Sequence, residues 1–226
     1  MEKNKRVLLK LRQLIKNYPY LKRTITWVKK LYYGYIKTLV KKDCYCNFSR
    51  HIIGLNNTII IKRGCRFANV QIRIIGNNNK ISFGENVSIS KRCSFWMEGD
   101  NIEITIGDNT SFNHTCHLCA QENSTKISIG SNCMFSNNII VRTSDSHPIF
   151  DTQSGKRINM AKSVYIGDNV WIAAHVTILK GVKINDGSIL GFGSIVSKDI
   201  QSNCIAVGTP ARVVKENVCW RRTFNE

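Results

Sequence analysis

Five histidines occur in the chain, and one stands apart from the rest. His147 is followed by Pro148, which stiffens the backbone there, and preceded by Asp145 two residues earlier. Histidine exchanges a proton near neutral pH, so a loop imidazole of this kind is suited to act as a general base. The surrounding segment, RTSDSHPIFDTQSGKRINMAKS, interrupts an otherwise regular pattern. A long loop thrust from a rigid scaffold usually carries function. Downstream, Trp171 lies between Val170 and Ile172, which the pattern turns inward, so its indole points out as a contact residue. His51, His114, His117 and His175 read as structural. The run His114-Thr115-Cys116-His117-Leu118-Cys119 has zinc-like density. There the alternation turns Cys116 and Leu118 inward, so the candidate ligands diverge and no metal is expected.

The elements that must position these residues are legible from Val164 to Asp199. Read in sixes, the stretch is VYIGDN, VWIAAH, VTILKG, VKINDG, SILGFG, SIVSKD. The third residue of each six is aliphatic, and the residue two before it is small or β-branched. A helix cannot hold this period, whereas short strands separated by corners can. Three such strands close a triangular coil of roughly 18 residues, and coils stack as a solenoid. The spacing therefore predicts a hexapeptide-repeat parallel β-helix, without fixing its hand. The same frame extends back to Ile59 at intervals of 22 or 23 residues, with the surplus in polar corners rich in Gly and Asn. Arg73 falls on an inward position, so a register shift is expected there, with Ile72 or Ile74 turning in. Cys65, Cys93, Cys116 and Cys133 occupy the small inward position, which predicts buried free thiols rather than disulfides.

Charge is uneven along the chain. Lys and Arg number 33 against 15 acidic residues, a formal charge of +18. Residues 1–42 hold thirteen of the basic residues and Glu2 as the sole acid. Apolar residues there fall at helical spacing on both sides of Pro19, ending at Leu39. Two readings stand: a basic amphipathic extension on an anionic membrane surface, or a cap over the open end of the solenoid. No stacking aromatic motif or groove-reading helix points to nucleic acid. No apolar run reaches 18 residues, and Lys10 and Arg12 interrupt what would be a signal core. A cytoplasmic protein is expected, peripheral at the inner face of the membrane if the extension binds lipid.

SDSHPIFD, GKRIN, VYIGDNVWIAAHVTILKGV, GFGSIVSKDI and GTPAR together resemble the hexapeptide-repeat acetyltransferases. The branch they resemble most is that of bacterial capsule and lipopolysaccharide sugar O-acetyltransferases, including those acting on sialic acid. The resemblance implies a left-handed β-helix, a homotrimer, and acetyl-CoA as donor in a groove between neighbouring subunits. It implies His147 as general base and Trp171 beside the reacting centre. Ala174, Phe192, Ser197 and Lys198 match positions lining the CoA channel, and Arg212 and Lys215 match basic residues near its phosphates. Asn113 matches an acceptor contact. Asp145 joins the substrate side, as an orienter of the imidazole or as the cap of a loop turn. Phe192 stands where alanine is common, and Ala173 replaces the usual glycine. An oxyanion donor is expected from a backbone N–H near Trp171 or Ala173.

The expected organisation is a helical extension over 1–43, a left-handed β-helix acetyltransferase domain over 44–210 with a loop at 142–163, and a tail over 211–226. The function this implies is acetyl-CoA-dependent O-acetylation of a sugar hydroxyl on a bacterial surface glycan. N-acetylation of an amino sugar and a non-catalytic polyanion- or membrane-binding scaffold are the alternatives. A zinc carbonic anhydrase on the same architecture would need three converging histidines, and no such triplet is spaced along the coils.

Overall fold

The computed structural model describes residues 37–41 and 43–224. The helical reading of residues 1–36 lies outside them. Residues 37–40, included in that reading, are instead a strand that opens the solenoid by pairing with the next turn. The edge of the sheet wins over helical spacing here, because Leu39 and its neighbours add a further parallel rung.

β1 (Lys37–Val40) and β2 (Tyr45–Ile53) make the first turn, and β3 (Thr58–Ile61) and β4 (Arg66–Ile75) the second. Three-strand turns follow. β5 (Lys80–Phe83), β6 (Ser88–Ile89) and β7 (Ser94–Glu98) make the third; β8 (Glu103–Ile106), β9 (Ser111–Phe112) and β10 (His117–Gln121) the fourth; β11 (Lys126–Ile129), β12 (Met134–Phe135) and β13 (Ile140–Arg142) the fifth. Beyond the loop come β14 (Val164–Ile166), β15 (Trp171–Ile172) and β16 (Thr177–Ile178), then β17 (Lys183–Ile184), β18 (Ile189–Leu190) and β19 (Ile195–Val196). A hairpin of β20 (Ile205–Gly208) and β21 (Ala211–Lys215) closes that end.

Each side of the prism is a parallel sheet in which a strand pairs with its counterpart one turn away. On the first side Ile59, Ile81, Ile104, Ile127 and Val164 stack in register. These are the steps of 22, 23 and 23 residues, then one of 37 across the loop. β4 spans two sides: Phe67 pairs with Ile89 on the second, and Ile72 with Phe95 on the third. Phe67 to Ile72 is one residue shorter than Ile89 to Phe95, which is the expected register shift. Both Ile72 and Ile74 are buried, and Arg73 points out.

Phe67, Phe83, Phe95, Phe112 and Phe135 form a continuous aromatic ladder, with ring centroids 4.4–6.0 Å apart. Truncating one such ring to alanine costs about 3–5 kcal/mol. The polar corners stack as tightly as the strands. A Cβ on Gly76, at φ +127°, would sit 1.9 Å from the Gly99 carbonyl oxygen. Buried Asn57 and Asn79 donate to the carbonyls of Gly76 and Gly99 one turn on, each at 2.8 Å. The inward cysteines do the same: Cys65 donates to Gly84 and Cys133 to Gly167, each at 3.1 Å, and both thiols are free of disulfides. Burial pushes the Cys65 and Cys133 thiols up to about 11.

Candidate functional site

The loop leaves the third side after Arg142 and returns to the first at Val164. Its neck is closed by the Lys162 amide donating to the Thr143 carbonyl at 2.9 Å. Its arm is a short hairpin: Phe150 bridges Arg157, and Asp151 caps the turn by accepting from the Ser154 amide at 2.7 Å. Asn159, nearly buried, holds the arm to the neck. Its Oδ1 accepts from the Ile149 amide at 2.6 Å, and its Nδ2 donates to the His147 carbonyl and to Asp145 Oδ2, each at 2.8 Å. Arg157 makes a two-pronged pair with Glu122 of the fourth turn, at 2.8 and 2.6 Å. Lys180 of the sixth turn completes the clamp by pairing with Asp145 and donating to the Asn159 carbonyl.

His147 is therefore an exposed side chain on a fixed backbone. Ser146, just before it, sits at φ +69°, a left-handed conformation that few non-glycine residues adopt. It is held there by its amide donating to Ser144 Oγ at 3.0 Å and its hydroxyl donating to Gln121 Oε1 at 2.9 Å. Asp145 is engaged by Lys180 and Asn159 rather than by the His147 ring, and the Lys180 hydrogen bond holds its carboxyl below the usual range. The Arg157 guanidinium does the same for Glu122. Glu122, Arg157, Asn159 and Lys180 went unassigned in the sequence, although Arg157 and Asn159 lie within the quoted GKRIN.

Trp171 does turn outward, on the second side, but the chain's own tail meets it. The Trp220 ring lies 6.1 Å away, its Nε1 donating to the Asn169 carbonyl at 2.7 Å. Arg222 reaches on to the carbonyls of Asn109, Asn132 and Cys133 and to Ser111 Oγ, at 2.9–3.2 Å. Asn113 and Trp171 line one shallow groove on this side. In one chain the second side lies across the prism from the corner that carries His147. No hydrogen bond or ring contact joins His147 and Trp171 among the described residues.

The remaining candidates cluster in the later turns. Ala174 accepts from the Gly193 amide at 2.9 Å, and Phe192 between these corners is 72% exposed, its ring 5.1 Å from His175. Ser197 and Lys198 are exposed where β19 ends, and Arg212 and Lys215 are exposed on β21. Exposed cations and hydroxyls at this end fit the phosphates and polar arm of a CoA thioester. The amides of Trp171 and Ala173, near which an oxyanion donor is expected, are themselves engaged. The Trp171 amide donates to Ser188 and the Ala173 amide to Leu190, each at 2.9 Å, because every turn spends these groups on the ladder. His117 shares a hydrogen with Ser94 Oγ at 2.7 Å, and Cys116 and Leu118 are buried. Among the described residues no cluster of three or more His, Cys, Asp or Glu converges.

A triangular parallel β-helix with one anchored loop presenting a histidine defines the hexapeptide-repeat transferase class. Residues 163–198 match the family model for bacterial transferase hexapeptide, six repeats. The solved structure of the polySia-specific acetyltransferase NeuO is 32% identical with a TM-score of 0.74, over 85% of this chain and 80% of that one. The polysialic acid O-acetyltransferase OatWY is 31% identical with a TM-score of 0.71, over 84% and 90%. The polysialic acid O-acetyltransferase of Escherichia coli O1:K1 / APEC is 43% identical over 88 residues, 39% of this chain. That stretch spans 29% of the E. coli protein's length. The chain belongs to the hexapeptide-repeat acetyltransferase family, with its left-handed β-helix.

Proposed function

We propose that the chain is an acetyl-CoA-dependent O-acetyltransferase acting on a sugar hydroxyl of a bacterial surface glycan, with polysialic acid the leading acceptor. The observation that carries this is the clamped loop: Glu122, Asn159 and Lys180 fix the backbone on either side of an exposed His147. Likeness to two polysialic acid acetyltransferases over most of their length supports the acceptor class. His147 takes the proton of the sugar hydroxyl as that oxygen attacks the thioester carbonyl carbon. The tetrahedral intermediate collapses by breaking the C–S bond, and the imidazolium returns the proton to the departing sulfur. No acyl-enzyme is needed. The region of half-buried Ala174 and exposed Phe192, Ser197, Lys198, Arg212 and Lys215 receives the donor, and Asn113 and Trp171 the acceptor.

Because His147 and Trp171 lie on opposite parts of the prism, the complete site belongs to a homotrimer in which one chain's loop meets its neighbour's second side. The basic residues 1–42 add peripheral attachment to an anionic membrane. The test is thiol release from acetyl-CoA across a panel of sialylated, neutral and amino-sugar acceptors. Turnover with sialylated glycans is expected; turnover with amino sugars alone would replace this reading by N-acetylation.

A further inference from the structure

The third side carries a cleft that the donor region does not use. In successive turns Trp96, Cys119 and Arg142 stand in register on its outward face. Strands stack about 4.8 Å apart, so the indole and the guanidinium flank a small thiol and leave a gap above it. The gap is a cleft of about 270 Å³, with His117 and Ile140 in its walls. Two of the residues lining it carry a donor without a partner among the described residues, Trp96 Nε1 and Arg142 Nε. Buried donors are ordinarily satisfied, so two unpaired ones on the residues flanking one cleft point to acceptor oxygens supplied from outside the chain once these side chains adjust. Arg73 lies over the Trp96 ring at 5.2 Å, so two guanidiniums bracket the site. Glu98, on the same strand as Trp96, is engaged by Gln121 Nε2 at 3.2 Å.

We infer that this cleft is a second saccharide subsite, built for one carboxylate-bearing sugar unit of the acceptor chain. The inference rests on the acetyl-transfer function proposed above. An indole suits the apolar face of a pyranose, and its N–H suits a ring hydroxyl. A guanidinium suits a carboxylate. The volume lies just below the usual range of drug-sized pockets, so it admits one sugar rather than a nucleotide. Position separates it from the donor: the residues matched to CoA all lie in the turns after the loop, whereas the cleft lies in those before it. It is also joined to the reacting centre, since Arg142 donates to the hydroxyl of Ser146, the residue before His147. A polymer held at Trp96 would feed a neighbouring unit to the loop.

The test uses the full-length protein and a sialic acid tetramer, titrated by calorimetry without acetyl-CoA, beside Michaelis constants from thiol release. Trp96→Ala and Arg142→Gln should each weaken tetramer binding about tenfold or more. For Trp96→Ala, which touches no loop residue, the KM for acetyl-CoA and kcat with a sialic acid monomer should stay within about twofold. Trp96→Phe keeps a ring without the N–H and should fall between, which guards against a misfolded alanine variant. A glucose tetramer should show no dependence on Arg142. Unchanged tetramer binding by folded Trp96→Ala, with transfer intact, would overturn the subsite alone. Loss of assembly in both Trp96 variants would make the cleft a subunit contact and also overturn it. Absence of transfer to any glycan by the parent would remove the proposed function, and the subsite with it.

Discussion

His147 is held by its backbone and free in its side chain, and the two facts separate stability from activity. Replacing it with alanine removes no packed group, so the thermal midpoint should stay within about 1 °C of the parent. Loss of a positioned base should lower kcat by at least about 10²-fold. Retention of most of kcat in a folded variant would reassign the base. Asn159 behaves oppositely, being nearly buried with hydrogen bonds to three loop groups. Asn159→Ala strands the Ile149 amide and should cost about 1–3 kcal/mol. It should also lower kcat without touching the imidazole, and thermal melts beside initial rates would check both effects.

The loop as an element is tied down by carboxylates, and their protonation sets its pH range. Pairing with Arg157 holds Glu122 below its ordinary value, and pairing with Lys180 does the same for Asp145. A depressed carboxylate stabilises the fold above its unfolded value, and that contribution fades as pH falls through the folded one. Protection of the Ile149 and Ile158 amides should thus be flat from pH 7 to about 5. It should decline below about pH 4, after correction for intrinsic exchange. Protection unchanged down to pH 3 would show that other contacts hold the loop. The tail is a second element with a defined job. Trp220 is 8% exposed and packs on Trp171. Deleting residues 218–226 should cost about 2–3 kcal/mol of stability and shift Trp171 emission to the red. An unshifted spectrum would mean that the strap does not cover that indole.

At the scale of the whole molecule, one chain places its histidine and its tryptophan on different parts of the prism. Inactive His147→Ala and Trp171→Ala proteins, mixed and reassembled, should therefore recover activity. In the proposed trimer each site takes its loop from one chain and its tryptophan from the next, so random mixing restores about a quarter of sites. No recovery, with mixed trimers demonstrated by mass, would place both residues in one chain. The basic extension makes a second prediction at this scale. Full-length protein should co-sediment with anionic vesicles, and protein lacking residues 1–42 should not. Added salt should reduce that binding, because exposed charges are screened beyond about 10 Å at 0.1 M. Equal sedimentation of both proteins would locate the charge effect elsewhere.

From Ile59 onward the repeat was legible to the residue, whereas β1 was read as helix. The strand registers, the inward phenylalanines, the buried thiols and the shift near Arg73 all follow from alternation and a constant corner. Each turn is constrained by the one beside it, so a periodic signal carries the whole core. The anchoring of the loop was not legible, because it depends on pairs with no period. Arg157 meets Glu122 35 residues away, and Lys180 meets Asp145 at the same separation. The tail was equally silent: Trp220 and Arg222 reach back 51 and 113 residues to Asn169 and Asn109. Sequence also did not show that the ladder consumes the Trp171 and Ala173 amides, since a list of residues does not give their partners. Local alternation alone determined the solenoid and the outward turn of Trp171. Where the loop is clamped, what covers that indole, and how far it stands from His147 were decided by segments that meet only once the prism is wound.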